Sequence, residues 1–120
     1  MLLVDTEHFL QIMKEYPASL SEPFEEPVEL TMATLAEAIS KLEKEYPSRK
    51  DMACALFEVL PLFELEDFLV INGALLLYGV YDELSFPECF AVVYARLDHR
   101  TPSFLSKACN EAYSSIPESN

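Results

Sequence analysis

The sequence predicts an all-α fold, a compact bundle of six to seven helices around one buried apolar helix at about 64–83. Two glycines and eight prolines among 120 residues leave few sites for tight β-turns but many places where a helix must begin or end. The hydrophobic share of 51% provides enough apolar surface for a core. We therefore expect residues 1–120 to form a single helical domain.

The prolines divide the first half of the chain into helix-sized blocks. Residues 5–16 carry apolar side chains at helical spacing and end at a proline. A second helix is predicted to open with Thr34 and Glu37, which have the spacing of a capping box. A third is predicted to start at Ser48, directly after the proline that closes the second.

Residues 17–30 separate the first two predicted helices. Prolines at positions 17, 23 and 27 forbid a regular helix there, so we expect an extended, partly polyproline-like segment on the surface. The segment is rich in glutamate and longer than most connections in helical bundles, which favours a role in binding.

Residues 62–84, "LFELEDFLVINGALLLYGVYDEL", contain the longest apolar run of the sequence. Its uninterrupted part, residues 68–81, is shorter than the roughly 20 residues that a membrane span needs. Asn72-Gly73 is a favoured hairpin turn, but the flanking residues do not alternate in polarity and favour helix. We predict a buried central helix, either continuous or broken near Asn72.

Two helices are predicted after this run. Ser85 is expected to cap the first, and Thr101 the second, with Pro102 as its first helical residue. Residues 116–120 are expected to form a frayed tail.

The sequence is strongly acidic. Eight basic residues against 21 acidic ones give a net charge of −13 and a pI near 4.3. Such a charge disfavours contact with nucleic acid phosphates and with anionic lipid, and it attracts a basic protein. Solubility alone is the simpler explanation of the same charge. The first residues lack the basic region of a signal peptide, so we expect a cytoplasmic protein.

Few residues in this chain carry recognisable chemistry. The shortage of glycine excludes phosphate-binding loops and a nucleophile elbow. The three cysteines, Cys54, Cys89 and Cys109, form no metal or redox motif, and reduced buried thiols are the simplest account of them. His8 or His99 beside a carboxylate leaves acid–base catalysis open, although Asp98–Arg100 is more simply a polar turn in which the arginine balances the aspartate. The sequence predicts no catalytic residue, no metal and no cofactor.

Carboxylates are also segregated from basic residues along the chain. No lysine or arginine lies between Lys14 and Lys41, or between Lys50 and Arg96, although many carboxylates do. Since an ordinary surface mixes the two signs, this pattern indicates an acidic face directed at a basic partner. A solvated surface with mild self-repulsion is the alternative.

In size, charge and predicted class the chain resembles the immunity proteins of bacterial toxin–immunity pairs, such as those of contact-dependent growth inhibition and of nuclease bacteriocins. The resemblance implies a cytoplasmic, non-enzymatic inhibitor that covers the cleft of a basic toxin, a nuclease, with carboxylates in place of phosphates. The candidate contacts are Glu22, Glu25, Glu26, Glu29, Asp82, Glu83 and Glu88, with Phe24 and Tyr81 as apolar anchors. The alternative is an acidic chaperone or adaptor that holds an apolar client segment in an exposed groove.

Overall fold

Six α-helices make up most of the structure, a computed structural model that describes residues 2–15 and 24–117. This confirms the predicted all-α class. The helices are α1 Thr6–Glu15, α2 Met32–Leu42, α3 Arg49–Val59, α4 Phe68–Tyr78, α5 Phe86–Leu97 and α6 Lys107–Ser115. The described residues also contain a 3-10 turn, Leu60–Leu62, and two short strands, β1 Leu2–Leu3 and β2 Val28–Glu29.

Contacts along the chain separate it into two units, Met1–Glu66 and Asp67–Asn120. The first unit contains α1, α2, α3 and both strands, and the second contains α4, α5 and α6. The expectation of a single domain over residues 1–120 stays a prediction.

Each helix of the first unit buries one apolar stripe, as its periodicity predicts. Helix α1 packs against α2, and Phe9 of α1 meets the ring of Phe63 edge-on, with 5.4 Å between ring centroids. The buried residues are Phe9, Ile12 and Met13 on α1, Leu35, Ala38, Ile39 and Leu42 on α2, and Met52, Ala53, Leu56 and Val59 on α3.

The segment after Phe24 takes part in a small sheet, which corrects the prediction of a surface segment over residues 17–30. Strand β2 pairs in parallel with β1, and its other edge bonds Glu64, whose N–H donates to Val28 O at 2.7 Å. Val28 and Leu30 are buried. The backbone of Val28–Glu29 is extended, as predicted, but the burial of Val28 and Leu30 was not predicted, because the pairing partners lie far away in sequence. Residues 17–23 lie outside the described part of the chain.

Two of the four residues predicted to begin or cap a helix are confirmed. Ser48 caps α3, and Ser85 forms a reciprocal capping box with Glu88 at the start of α5. The other two predictions are wrong. Helix α2 is capped by Thr31 rather than Thr34, and α6 by Ser106 rather than Thr101.

Helix α4 is continuous through Asn72-Gly73 and is shorter than the predicted 64–83. Its start is delayed because Glu64 pairs with β2 and Asp67 adopts a left-handed conformation, with φ of 55°. The helix ends at Gly79, whose N–H donates to Leu75 O.

Packing of α4 on α5 forms the main contact of the second unit, and α5 also packs against α6. Gly73 permits the close approach of α4 and α5, because a Cβ atom there would lie 2.8 Å from Val93 Cγ1. Val70, Ile71, Ala74, Leu75, Leu77 and Tyr78 of α4 are buried. One side of α4 departs from the expectation of burial all round, since Leu69 and Leu76 are exposed.

Candidate functional site

Exposed apolar side chains are concentrated on one face of the second unit. Seven large apolar side chains among the described residues are exposed, and four of them line two adjacent clefts on α4 and α5. These four are Leu69, Leu76, Val80 and Leu97. Scattered exposed leucines are ordinary, but a contiguous group of them marks an interaction surface.

One of these two clefts is an apolar groove of about 430 Å³ between α4, α5 and residues 115–117 at the end of α6. Leu76 and Val80 form one side and remain 64% and 74% exposed. The groove is lined by Gly73, Leu76, Leu77, Val80, Tyr81, Val93, Leu97, Ser115, Ile116 and Pro117. We refer to these residues as the α4 groove.

A second cleft of about 450 Å³ lies at the start of α4. Phe68, Leu69 and Val70 line it from α4, and Tyr94 and Leu97 line it from α5. It differs from the α4 groove in having two carboxylates in its lining, Asp67 and Asp98. Leu97 belongs to both clefts, so together they follow the whole length of α4.

Hydrogen bonds hold the end of α6 in place beside the α4 groove. The Tyr81 hydroxyl donates to Ser115 Oγ at 3.1 Å, and the Ser115 hydroxyl donates to Ala112 O at 2.6 Å. The Arg96 guanidinium of α5 donates to Tyr113 O at 2.8 Å and stacks 3.9 Å from the centroid of the Tyr113 ring. These contacts fix the last turn of α6, and the Ile116 N–H, which donates to Tyr113 O at 3.3 Å, joins the next residue of the groove lining to it.

The predicted contact residues of the first unit are only partly available to a partner. Glu25 and Glu26 are exposed, whereas Glu29 lies in β2 and is half-buried. Phe24, predicted as an apolar anchor, is half-buried and packs edge-on against Phe63, with 5.2 Å between ring centroids. Glu22 lies outside the described residues.

The predicted contacts of the second unit divide in the same way. Asp82 and Glu83 are exposed directly after Tyr81, which lines the α4 groove. Glu88 is instead engaged within the molecule, since it accepts hydrogen bonds from the Ser85 N–H at 3.0 Å and from the Cys109 thiol at 3.5 Å. The bond from the Ser85 backbone lowers the pKa of Glu88 below its ordinary value.

The turn after α5 is the polar turn that the sequence predicts. Arg100 Nε donates to Asp98 Oδ2 at 2.7 Å, and the two form an ion pair on the surface. His99 is exposed in a left-handed conformation with φ of 52°.

Within residues 2–15 and 24–117, no three histidine, cysteine, aspartate or glutamate side chains are grouped so that they could hold a metal ion. None of the helices in this part of the chain combines the length and the apolar character needed to cross a bilayer.

Comparisons with protein-family models, with curated proteins and with solved structures find no match for this chain. The resemblance to immunity proteins stays a prediction.

Leu69, Leu76, Val80 and Leu97 were not among the residues predicted to bind a partner. Leu69 and Leu76 are seven positions apart, which places them on one side of α4, and Val80 follows in the turn after its last residue. The sequence gives no means of recognising that side, because the neighbouring sides of α4 are equally apolar. The packing of α5 against α4 covers another side and leaves this one exposed.

Proposed function

We propose that this protein binds an apolar segment of another protein and performs no chemistry of its own. The observation that carries this proposal is the α4 groove, an exposed apolar surface in a strongly acidic chain. Leu76 and Val80 expose apolar surface to water. Burial of this surface against a partner would stabilise the complex by about 25 cal/mol for each Å² removed from water. The function is that of an adaptor, chaperone or inhibitor, and the proposed location is the cytoplasm.

The charge supports the choice of partner. A chain with a net charge of −13 repels acidic proteins and accelerates encounters with basic ones, since long-range attraction raises association rates. The proposed partner is therefore a basic protein with an apolar segment that enters the groove.

The test is capture of partners from a lysate of the source organism with three baits: the wild-type protein, Leu76→Gln and Leu105→Gln. Leu105 is the matched control, because it is fully exposed in the same unit and lies outside the groove. We expect a basic protein that binds the wild type and Leu105→Gln, is lost with Leu76→Gln and survives a high-salt wash. The purified components should then form a one-to-one complex.

The proposal is wrong if the captured proteins are the same for all three baits. It is also wrong if the purified partner is chemically altered by the wild-type chain, because a binding protein leaves its partner unchanged.

A second candidate is an immunity-type inhibitor that covers a basic toxin, such as a nuclease, with carboxylates. The observation in its favour is that Glu25, Glu26, Asp82 and Glu83 are exposed, and that no described lysine or arginine forms an ion pair with them. Unpaired carboxylates are available to the cations of a partner without the loss of an existing contact.

Charge reversal separates this candidate from the first. Glu25→Lys/Glu26→Lys should keep the helical circular dichroism spectrum and slow association with the partner, whereas Glu45→Lys/Glu58→Lys, an equal change of charge at exposed positions elsewhere, should slow it less. Association should also slow as salt rises, since screening acts beyond about 8 Å at physiological ionic strength. An association rate that is the same for both double variants and indifferent to salt would exclude Glu25 and Glu26 from the binding surface.

A further inference from the structure

We propose that the α4 groove and the adjoining cleft bind one face of an amphipathic helix of about three turns that carries lysine or arginine at its ends. This inference rests on the proposed function and specifies the partner segment for the same surface. Three features support it: the length of the exposed apolar stripe formed by Leu69, Leu76 and Val80, the spacing of these side chains, and the carboxylates at the two ends of the stripe.

The exposed stripe has the dimensions of a short helix. Leu69 and Leu76 are seven positions apart on one side of α4, which corresponds to about 10 Å along its axis. Val80 follows in the turn after Tyr78, the last residue of α4, and extends the exposed stripe beyond the end of the helix. A helix with apolar residues at positions i, i+3, i+4 and i+7 matches this spacing in the way that helices bind in apolar grooves.

Gly73 lies at the middle of the stripe, four positions after Leu69 and three before Leu76, and it lines the groove together with Val93 of α5. Val93 takes up the space beside Gly73, because a Cβ atom at Gly73 would lie 2.8 Å from Val93 Cγ1. The two residues therefore form a closed apolar floor, on which side chains at the centre of the bound helix would rest.

The charges at the two ends of the stripe favour a basic segment. Asp82 and Glu83 follow Tyr81 at one end, and Asp67 lines the cleft at the other. All three are exposed and form no ion pair with a described lysine or arginine. Asp98 at the second end is already paired with Arg100. A helix with cations at both ends complements this arrangement.

The same charges disfavour a second copy of this chain as the occupant. A symmetric pair of grooves would bring the carboxylates of one copy toward those of the other, with a net charge of −13 on each. A small apolar molecule is also a poor occupant, because binding pockets for such ligands cover most of the ligand surface. Here Leu69, Leu76 and Val80 project into solvent.

The probe is a fluorescein-labelled peptide of about fourteen residues, with leucine at helical spacing on one face, alanine and glutamine elsewhere and two lysines at each end. Binding to the full chain is measured by fluorescence anisotropy. Three comparison peptides are used: one with the leucines spread around the helix, one with glutamate in place of lysine and one with a central proline.

We expect saturable binding of the first peptide alone. Leu76→Gln should weaken it about tenfold or more, since a leucine side chain would lose its burial, and the matched variant Leu105→Gln should leave it unchanged. Asp82→Asn/Glu83→Gln should weaken binding and reduce its dependence on salt, whereas Glu111→Gln, an exposed carboxylate of the same unit, should not.

Other outcomes overturn the inference. If the proline peptide binds as well as the helical one and depends on Leu76, the groove takes an extended segment, and the proposed function stands without the helix. Equal binding of the glutamate peptide would exclude the role of the carboxylates. A dimer of this chain that sedimentation detects and Leu76→Gln abolishes would assign the groove to a second copy. If no peptide binds, the helix is wrong, and the capture experiment with the three baits decides the proposed function separately.

Discussion

Glu88 forms hydrogen bonds that fix the start of α5. The same bonds make its carboxylate less available to a partner. Its carboxylate accepts from the Ser85 N–H, while the Ser85 hydroxyl accepts from the Glu88 N–H at 3.3 Å. These two bonds satisfy backbone groups that would otherwise lack partners at the start of α5. Glu88 is therefore a structural carboxylate, and the neighbouring Glu83 is the better candidate for contact with a cation.

Stability at acidic pH should depend on Glu88. Hydrogen bonds from the Ser85 backbone and side chain hold its pKa below the ordinary value of 4.5. A carboxyl whose pKa is lower in the folded chain stabilises the fold above its unfolded pKa and loses this contribution as pH falls through the folded pKa. Glu88→Gln should therefore lower the free energy of unfolding by roughly 0.3–1 kcal/mol at neutral pH, and the difference should shrink as pH falls below the ordinary pKa and through the lowered pKa of Glu88.

Urea unfolding followed by circular dichroism at several pH values measures this difference, in dilute solution because the pI is near 4.3. Glu58→Gln, at an exposed position of α3, is the control. A constant difference between Glu88→Gln and the wild type at all pH values would contradict the proposed role of the ionised carboxylate.

Gly73 and Val93 should be coupled energetically. Alanine at position 73 gains about 1 kcal/mol in helix propensity but places its Cβ atom 2.8 Å from Val93 Cγ1, and overpacking costs about 1–3 kcal/mol. Valine in a helix has one strongly preferred rotamer, so it cannot easily move aside. We expect Gly73→Ala to destabilise the wild type but to stabilise the Val93→Ala variant. A double-mutant cycle from thermal unfolding measures the coupling, and additive effects would exclude it.

Helix starts show how far local sequence determines an element of this fold. Ser48 and Ser85 are each well placed to cap the helix that follows, without a competing hydroxyl residue beside them. Both helix starts could therefore be predicted. Near α2 and α6, several hydroxyl residues compete. Thr31 and Thr34 even share a hydrogen bond of 3.0 Å between their hydroxyls, so local spacing could not decide between them.

The start of α6 can be tested directly. Ser106 Oγ accepts from the Cys109 N–H at 3.2 Å, whereas Thr101 is exposed and lies before the helix. Ser106→Ala should lower the free energy of unfolding by about 1 kcal/mol, and Thr101→Ala by less than about 0.5 kcal/mol. Chemical denaturation of both variants measures the difference. A larger effect of Thr101→Ala would restore the helix start that the sequence alone predicts.

The face of α4 that forms the candidate site could not be predicted for a different physical reason. An amphipathic helix shows its buried side through the contrast between apolar and polar residues, as α1 does with Phe9 and Ile12. Helix α4 offers no such contrast, because Leu69 and Leu76 on its exposed side are as apolar as Ile71 and Leu75 on its buried side. The exposed side of α4 depends on which helices pack against it, and the spacing of apolar residues in the sequence does not determine this.

The net charge of −13 on the whole molecule should lower the stability of the folded chain, and added salt should reduce this effect. Ion pairs such as Lys41–Glu37 and Arg100–Asp98 join largely exposed side chains, so they contribute little to stability. Unbalanced carboxylates repel one another in the folded state more than in the expanded unfolded chain.

The melting temperature should therefore rise as sodium chloride is raised from about 10 mM to about 200 mM, because the Debye length falls from about 30 Å to less than 10 Å. Differential scanning calorimetry measures this change. Choline chloride serves as a control that excludes specific binding of sodium. A melting temperature that falls or stays constant would mean that the carboxylates are spread too widely to repel one another.

The unequal burial of the three cysteines has a practical consequence. Cys54 is exposed on α3, whereas Cys89 and Cys109 are buried, and burial raises the pKa of the Cys109 thiol. A maleimide dye should attach once to the native chain and three times after denaturation, as intact mass spectrometry would show. The wild-type protein thus carries its own labelling position in a different unit from the α4 groove, and the rate of the later additions would report how often the α5 and α6 regions open.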